Sequence, residues 1–146
     1  MAMKIFASIL AAGIAACVVA FEDCSFTAKL DGTEQRYLLS APKSASGPVD
    51  VLVSLHGHGS DRMQIREERG ECKAVRDVAA ERGMVLVSPD YRAKTSWMGP
   101  AAEADMLQLL DLLSKRFGGR IFLCGGSMAA PPRSPSPPAT LRRSVA

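Results

Sequence analysis

The sequence predicts an α/β fold, a largely parallel sheet covered by helices on both faces. Three short apolar runs, residues 51–55, 84–88 and 120–124, read as strands buried on both faces. Between them lie two stretches, 71–82 and 100–117, whose apolar residues recur at helical spacing. A strand pair over residues 24–40 comes first, so the order is β-β-β-α-β-α-β: a hairpin, then a parallel βαβαβ unit.

At the front, Lys4 precedes an uncharged run from Ile5 to Phe21, seventeen residues rich in alanine and isoleucine. That is short of the roughly 20 residues that span a bilayer. A basic start, an apolar stretch and the small-residue site Val18-Val19-Ala20 read as a secretory signal peptide, which implies export to a periplasm or beyond the cell. Ile14-Ala15-Ala16-Cys17 also has the form of a lipoprotein box that would acylate Cys17, and a retained anchor helix is the third reading.

Residues 24–30 and 34–40 flank Asp31-Gly32-Thr33, a hairpin signal. Gly47 and Pro48 punctuate the polar loop before the first buried strand. A loop runs from His56 to Gly70. In the helix over 71–82, Cys72, Val75, Val78 and Ala79 share one face, and Gly83 is the natural stop. Pro89 ends the next strand. Pro100 starts the second helix, where its missing N–H is harmless. Met106, Leu109, Leu110, Leu113 and Phe117 form its apolar stripe, and Gly118-Gly119 ends it. Export permits disulfides. Without Cys17 three cysteines remain; Cys24 with Cys72 is one pairing, and Cys124 reads as a small core residue.

Two motifs carry chemistry. Gly125-Gly126-Ser127-Met128-Ala129 follows a buried strand directly. A nucleophilic serine needs its hydroxyl presented on a sharp strand-to-helix turn with small neighbours, and Gly125 and Ala129 meet that need. The Met128 N–H would face a developing oxyanion. The plainer alternative is a glycine turn that merely ends the strand. Leu55-His56-Gly57-His58-Gly59-Ser60-Asp61 closes another buried strand. Gly57 and Gly59 let the backbone turn and approach a ligand, the His58 N–H is the candidate second oxyanion donor, and Gly59 is the substitute. Its alternative is an ordinary glycine-rich loop. His56 and His58 lack a third metal ligand at matching spacing, so no metal and no cofactor are expected.

Together the motifs resemble the α/β-hydrolase fold, with His-Gly-x-Gly after the third strand and the serine elbow after the fifth. Residues 51–128 look like the exported polyhydroxybutyrate-depolymerase-like esterases and the prolyl-oligopeptidase-type serine hydrolases. Ser88-Pro89-Asp90-Tyr91-Arg92 and Ser96-Trp97-Met98-Gly99-Pro100 resemble segments of the same group. The resemblance implies Ser127 as nucleophile, the His58 and Met128 amides as oxyanion hole, and His56 as a structural loop residue. It implies that Asp90 shapes the loop, and it leaves Trp97 between lining the pocket and plain packing. The implied substrate is a small ester or peptide. The domains would be a signal peptide (1–20), a partial α/β-hydrolase domain (21–128) and a Pro/Arg-rich tail (129–146).

The tail carries most of what is unusual in the composition. The net charge is +3, yet residues 1–132 hold fifteen basic and fifteen acidic side chains; Arg133, Arg142 and Arg143 supply the excess. The body is therefore no footprint for nucleic acid, and a membrane enters only through the signal or a lipid anchor. Five of the nine prolines fall in the last sixteen residues and forbid the helix expected after the elbow. Such a segment reads as disordered. In this fold the chain order is Ser, then Asp or Glu, then His. No Asp, Glu or His follows Ser127, so the triad's acid and base are absent and the chain as written would be inactive. A reading-frame slip near codon 129 accounts for this, since the codons of Ala-Ala-Pro-Pro read one base earlier permit a glycine after Met128. The rival readings are a non-catalytic secreted or lipid-anchored α/β binding module with a basic proline-rich tail, and a product with no cellular role.

Overall fold

The computed structural model describes residues 20–43 and 47–126. The N-terminal run through Val19 lies outside the described residues, as do Ser127, Met128, Ala129 and the proline-rich tail. Five strands, β1 (Glu22–Thr27), β2 (Glu34–Ser40), β3 (Val49–Leu55), β4 (Val85–Pro89) and β5 (Gly118–Gly125), form one sheet in the order β1-β2-β4-β3-β5. Helix α1 (Gly70–Glu81) joins β3 to β4, and α2 (Pro100–Phe117) joins β4 to β5. β3 runs parallel to both β4 and β5, whereas β2 is antiparallel to β1 and β4. The hairpin thus sits at one side of a parallel unit. The connection through α2 carries the chain past β3 to its far side.

Alternation along each strand sends side chains to two cores. Val51, Val53 and Leu55 of β3, Val85 and Val87 of β4, and Tyr37 and Leu39 of β2 meet Ala102, Met106, Leu109 and Leu113 of α2. Leu52, Leu86 and Leu38 point the other way and meet Ala79 of α1 and Ile65 of a 3-10 turn over Arg62–Arg66. Val51, Val53, Val87 and Leu109 lose all exposure. At about 1.5–3 kcal/mol for each fully buried side chain, this double-sided burial is what the continuous apolar runs provide.

Local chemistry sets the ends. Pro100 occupies the first turn of α2, with Glu103 at the positive end of the helix dipole and Lys115 and Arg116 at the negative end. Gly118 terminates α2 at φ 67° and is also the first residue of β5, so no loop intervenes. Gly119 then passes against β3, where the register slips by one residue between Val49 and Val51. A Cβ on Gly119 would lie 2.3 Å from the Val49 carbonyl carbon and oxygen.

Four expectations need correction. The first strand runs from Glu22 to Thr27, not 24–30, because residues 28–33 close the turn through Gly32 N–H to Ala28 O and Ala28 N–H to Thr33 O. β5 is not buried on both faces: among the described residues it pairs with β3 alone, and Phe122 and Leu123 are 42% and 54% exposed. Val78 of α1, expected with Cys72, Val75 and Ala79 on the buried face, is 42% exposed. The proposed Cys24–Cys72 pairing also fails. Cys24 packs on the α2 face of the sheet, Cys72 belongs to α1 on the opposite face, and both thiols are free.

Candidate functional site

β3 and β5 are adjacent and parallel, and Leu55 pairs with Gly125. His56-Gly57-His58-Gly59 and Gly126 therefore leave the sheet side by side at its carboxyl edge, the usual place for ligands in such sheets. A cavity of about 610 Å³ opens between them. His56, Gly57 and His58 line one side, Gly125 and Gly126 the other, and Ser54, Ser88 and Cys124 lie beneath. Ser127 follows Gly126 in the chain but lies outside the described residues.

The 56–60 loop is held from several directions. The His56 ring is buried, with Nδ1 2.8 Å from the Gly57 carbonyl and Nε2 3.1 Å from the Asp90 carbonyl. Both ring nitrogens thus stand against backbone carbonyl oxygens, and a neutral ring donates to one of the two. The ring stacks on Tyr91, with centroids 4.4 Å apart, and the Tyr91 hydroxyl donates to the His56 carbonyl. Gly57 N–H donates to Gln64 Oε1 at 2.8 Å. Ser60 N–H donates to Gly57 O, closing a turn whose third residue, Gly59, takes φ 81°. That value is the left-handed one a type II turn demands of glycine. A Cβ on Gly57 would meet nothing, so the structure leaves Gly57 free to face a ligand closely.

Of the two backbone donors considered at this loop, Gly59 is occupied: its N–H donates to Lys94 O at 2.9 Å. The His58 N–H makes no hydrogen bond to any described residue. The His58 side chain is exposed, its ring 5.3 Å from that of Trp97. Trp97 is itself 57% exposed and does not line the cavity, so it fills neither the core nor the pocket floor.

The segment after β4 provides most of the supports, and here sequence reasoning missed residues. Asp90 accepts from the Arg62 backbone N–H and pairs with its guanidinium at 2.9 Å, while Arg62 reaches on to Asp23 of β1. The Asp90 carboxylate is thus spent on the loop. Arg92 pairs with Asp105 of α2 at 2.6 Å and with Asp31 of the hairpin turn at 2.7 Å. Its hydrogen bond, with those of Thr33, holds the Asp31 carboxyl down to about 2. Tyr91, Arg92, Trp97 and Met98 all have positive φ without being glycine. Each such residue costs on the order of 1–3 kcal/mol, and clusters of them mark places where surrounding contacts dictate the backbone. No residue pattern announces this strain. The signal in the sequence was the resemblance of 88–92 and 96–100 to segments of the hydrolase group.

Cys72 and Cys124 both line the cavity, and burial pushes both thiols up from their ordinary value. They stay protonated near neutrality and are poor nucleophiles. Among the described residues, no three His, Cys, Asp or Glu side chains are placed to hold a metal ion.

No protein-family model matches the chain, and no curated protein does. Solved structures do. The S-formylglutathione hydrolase FrmB of Staphylococcus aureus matches with a TM-score of 0.59 at 18% identity, over 75% of this chain and 49% of its own. A ferulic acid esterase of Anaeromyces mucronatus matches at 0.57 and 17% identity, over 75% and 50%. An S-formylglutathione hydrolase of Agrobacterium tumefaciens matches at 0.57 and 20% identity, over 73% and 48%. The chain spans about half the length of these structures. At such identities the likeness concerns the fold: a partial α/β-hydrolase fold with a mixed five-stranded sheet.

Proposed function

We propose that this chain carries the nucleophile and oxyanion portion of a serine hydrolase acting on small carboxylic esters, with peptides as the lesser alternative. The observation that carries the reading is the pairing of Leu55 with Gly125, which brings the His-Gly-x-Gly loop beside the strand that leads into Ser127. The Ser127 hydroxyl would attack the ester carbonyl. The resulting oxyanion would accept from the His58 and Met128 N–H groups as the alkoxide leaves, and water would then release the acid. The unengaged His58 N–H supports the first donor over Gly59. The esterase and hydrolase names of the structural neighbours favour an ester substrate. A base and an acid that orients it must complete the serine. No Asp, Glu or His follows Ser127, and both His56 ring nitrogens stand against backbone carbonyls. Export through the N-terminal segment belongs to the same proposal.

The test compares two polypeptides: residues 1–146, and the product of the same locus read in the shifted frame after codon 128. The first should not turn over p-nitrophenyl esters. The second should hydrolyse them and react with a fluorophosphonate at Ser127, with Ser127→Ala lowering kcat by on the order of 10⁴–10⁶. Turnover by residues 1–146 that survives Ser127→Ala would overturn the proposal. So would a shifted-frame product that leaves Ser127 unlabelled.

A further inference from the structure

We infer that Trp97 and His58 form a stacking platform at the rim of the cavity, for an aromatic ring carried by the ester substrate. The inference rests on the ester-hydrolase reading for the ester but not for the ring. Residues 96–99 form a turn closed by Gly99 N–H to Ser96 O at 3.0 Å, and its two central residues have φ of 49° and 51°. Turns with two left-handed central residues ordinarily hold Asn, Asp or Gly. Here they hold Trp97 and Met98. The two side chains part: Met98 packs against the α2-side core, and Trp97 stays 57% exposed. Burial therefore does not account for the tryptophan. The Ser96 hydroxyl donates to Tyr91 O at 2.9 Å, tying this turn to the residue that stacks under His56. The indole stands against the His58 ring at 5.3 Å and 38°. His58 in turn lines the cavity and supplies the unengaged N–H. An ester carbonyl at that N–H would have the indole within reach of a substituent leaving the cavity toward solvent. A flat ring gains most there, through offset or edge-to-face contact with both rings.

Trp97 is the single tryptophan of the chain, so its fluorescence reports this place alone. The probes are methyl phenylacetate and methyl cyclohexylacetate, alike in size and differing in aromaticity, titrated into the 146-residue polypeptide. Methyl phenylacetate should shift the emission saturably, with the cyclohexyl ester about two- to tenfold weaker. Calorimetry on Trp97→Leu should show the preference gone. Ser127→Ala should retain it, since binding precedes chemistry. Equal affinity for the two esters, no saturable response, or an emission shift that follows protein concentration alone would overturn the inference. The hydrolase reading is decided separately: aryl binding without fluorophosphonate labelling of the shifted-frame product sinks that reading only, and labelling without aryl preference sinks the platform only.

Discussion

At the scale of single residues, Tyr91 ties the site together. Its ring lies under His56, its hydroxyl bonds the His56 carbonyl, and its backbone is left-handed. Tyr91→Phe keeps the stack and removes the donor from a buried carbonyl, at a cost of about 1–3 kcal/mol in urea unfolding. Burial pushes the phenol up to about 12 from an ordinary 10.0. The folded state therefore disfavours the phenolate. The stabilisation is complete below pH 10 and is lost as pH rises toward about 12. The urea midpoint should fall across that window in the native chain and fall less in Tyr91→Phe. An identical alkaline limb in both would show that the buried phenol is not the titrating group. Tyr37, Cys72 and Cys124, raised in the same direction by burial, add to the same limb.

At the scale of elements, the contact between β5 and β3 depends on one glycine. The Gly119 backbone passes so close to β3 that a Cβ would lie 2.3 Å from the Val49 carbonyl and 2.6 Å from the Asp50 N. Neither is a side chain that could swing away. Gly119→Ala should therefore destabilise by about 1–3 kcal/mol or more, whereas Gly57→Ala, which meets nothing, should leave thermal unfolding unchanged. Equal melting of the two variants would contradict this close approach. The element order was legible because a strand covered on both faces is apolar along most of its length, as 51–55 and 84–88 are, and because the α2 stripe repeats at helical spacing. The start of β1 was not, since Glu22 and Asp23 lie on an exposed edge strand where pairing with Leu39 and Leu38, not side-chain polarity, decides. The pattern of β5 alone did not decide its exposure. Its residues read as core, but burial depends on neighbours distant in sequence. Within the site, the two glycine motifs stood out because they end apolar runs. The supports from Gln64, Tyr91 and Arg92 did not, because each acts across the fold, the first two on backbone groups and Arg92 on distant carboxylates, and no local pattern marks such partners.

At the scale of the molecule, the described fold ends on an apolar edge. Beyond β5 no described strand continues the sheet, and Phe122 and Leu123 stand half exposed on its opposite faces. Val78 is exposed across the groove from Phe122, and Leu107 and Leu112 are exposed on α2. An unprotected edge with apolar side chains invites pairing with another chain, and natural edges carry lysine or proline to prevent it. Charge offers little opposition, because residues 1–132 balance fifteen basic against fifteen acidic side chains and the whole chain carries only +3. The 146-residue polypeptide should therefore self-associate through β5. Leu123→Lys sets a charge on that edge at a position already 54% exposed, so it should change unfolding free energy by no more than about 0.5 kcal/mol. It should also shift the population toward monomer in light scattering across a concentration series. Val53→Lys, at the fully buried centre of β3, should instead abolish folding. If the native chain stays monomeric at high concentration, or Leu123→Lys associates as strongly as the native chain does, then the β5 edge is not where copies meet.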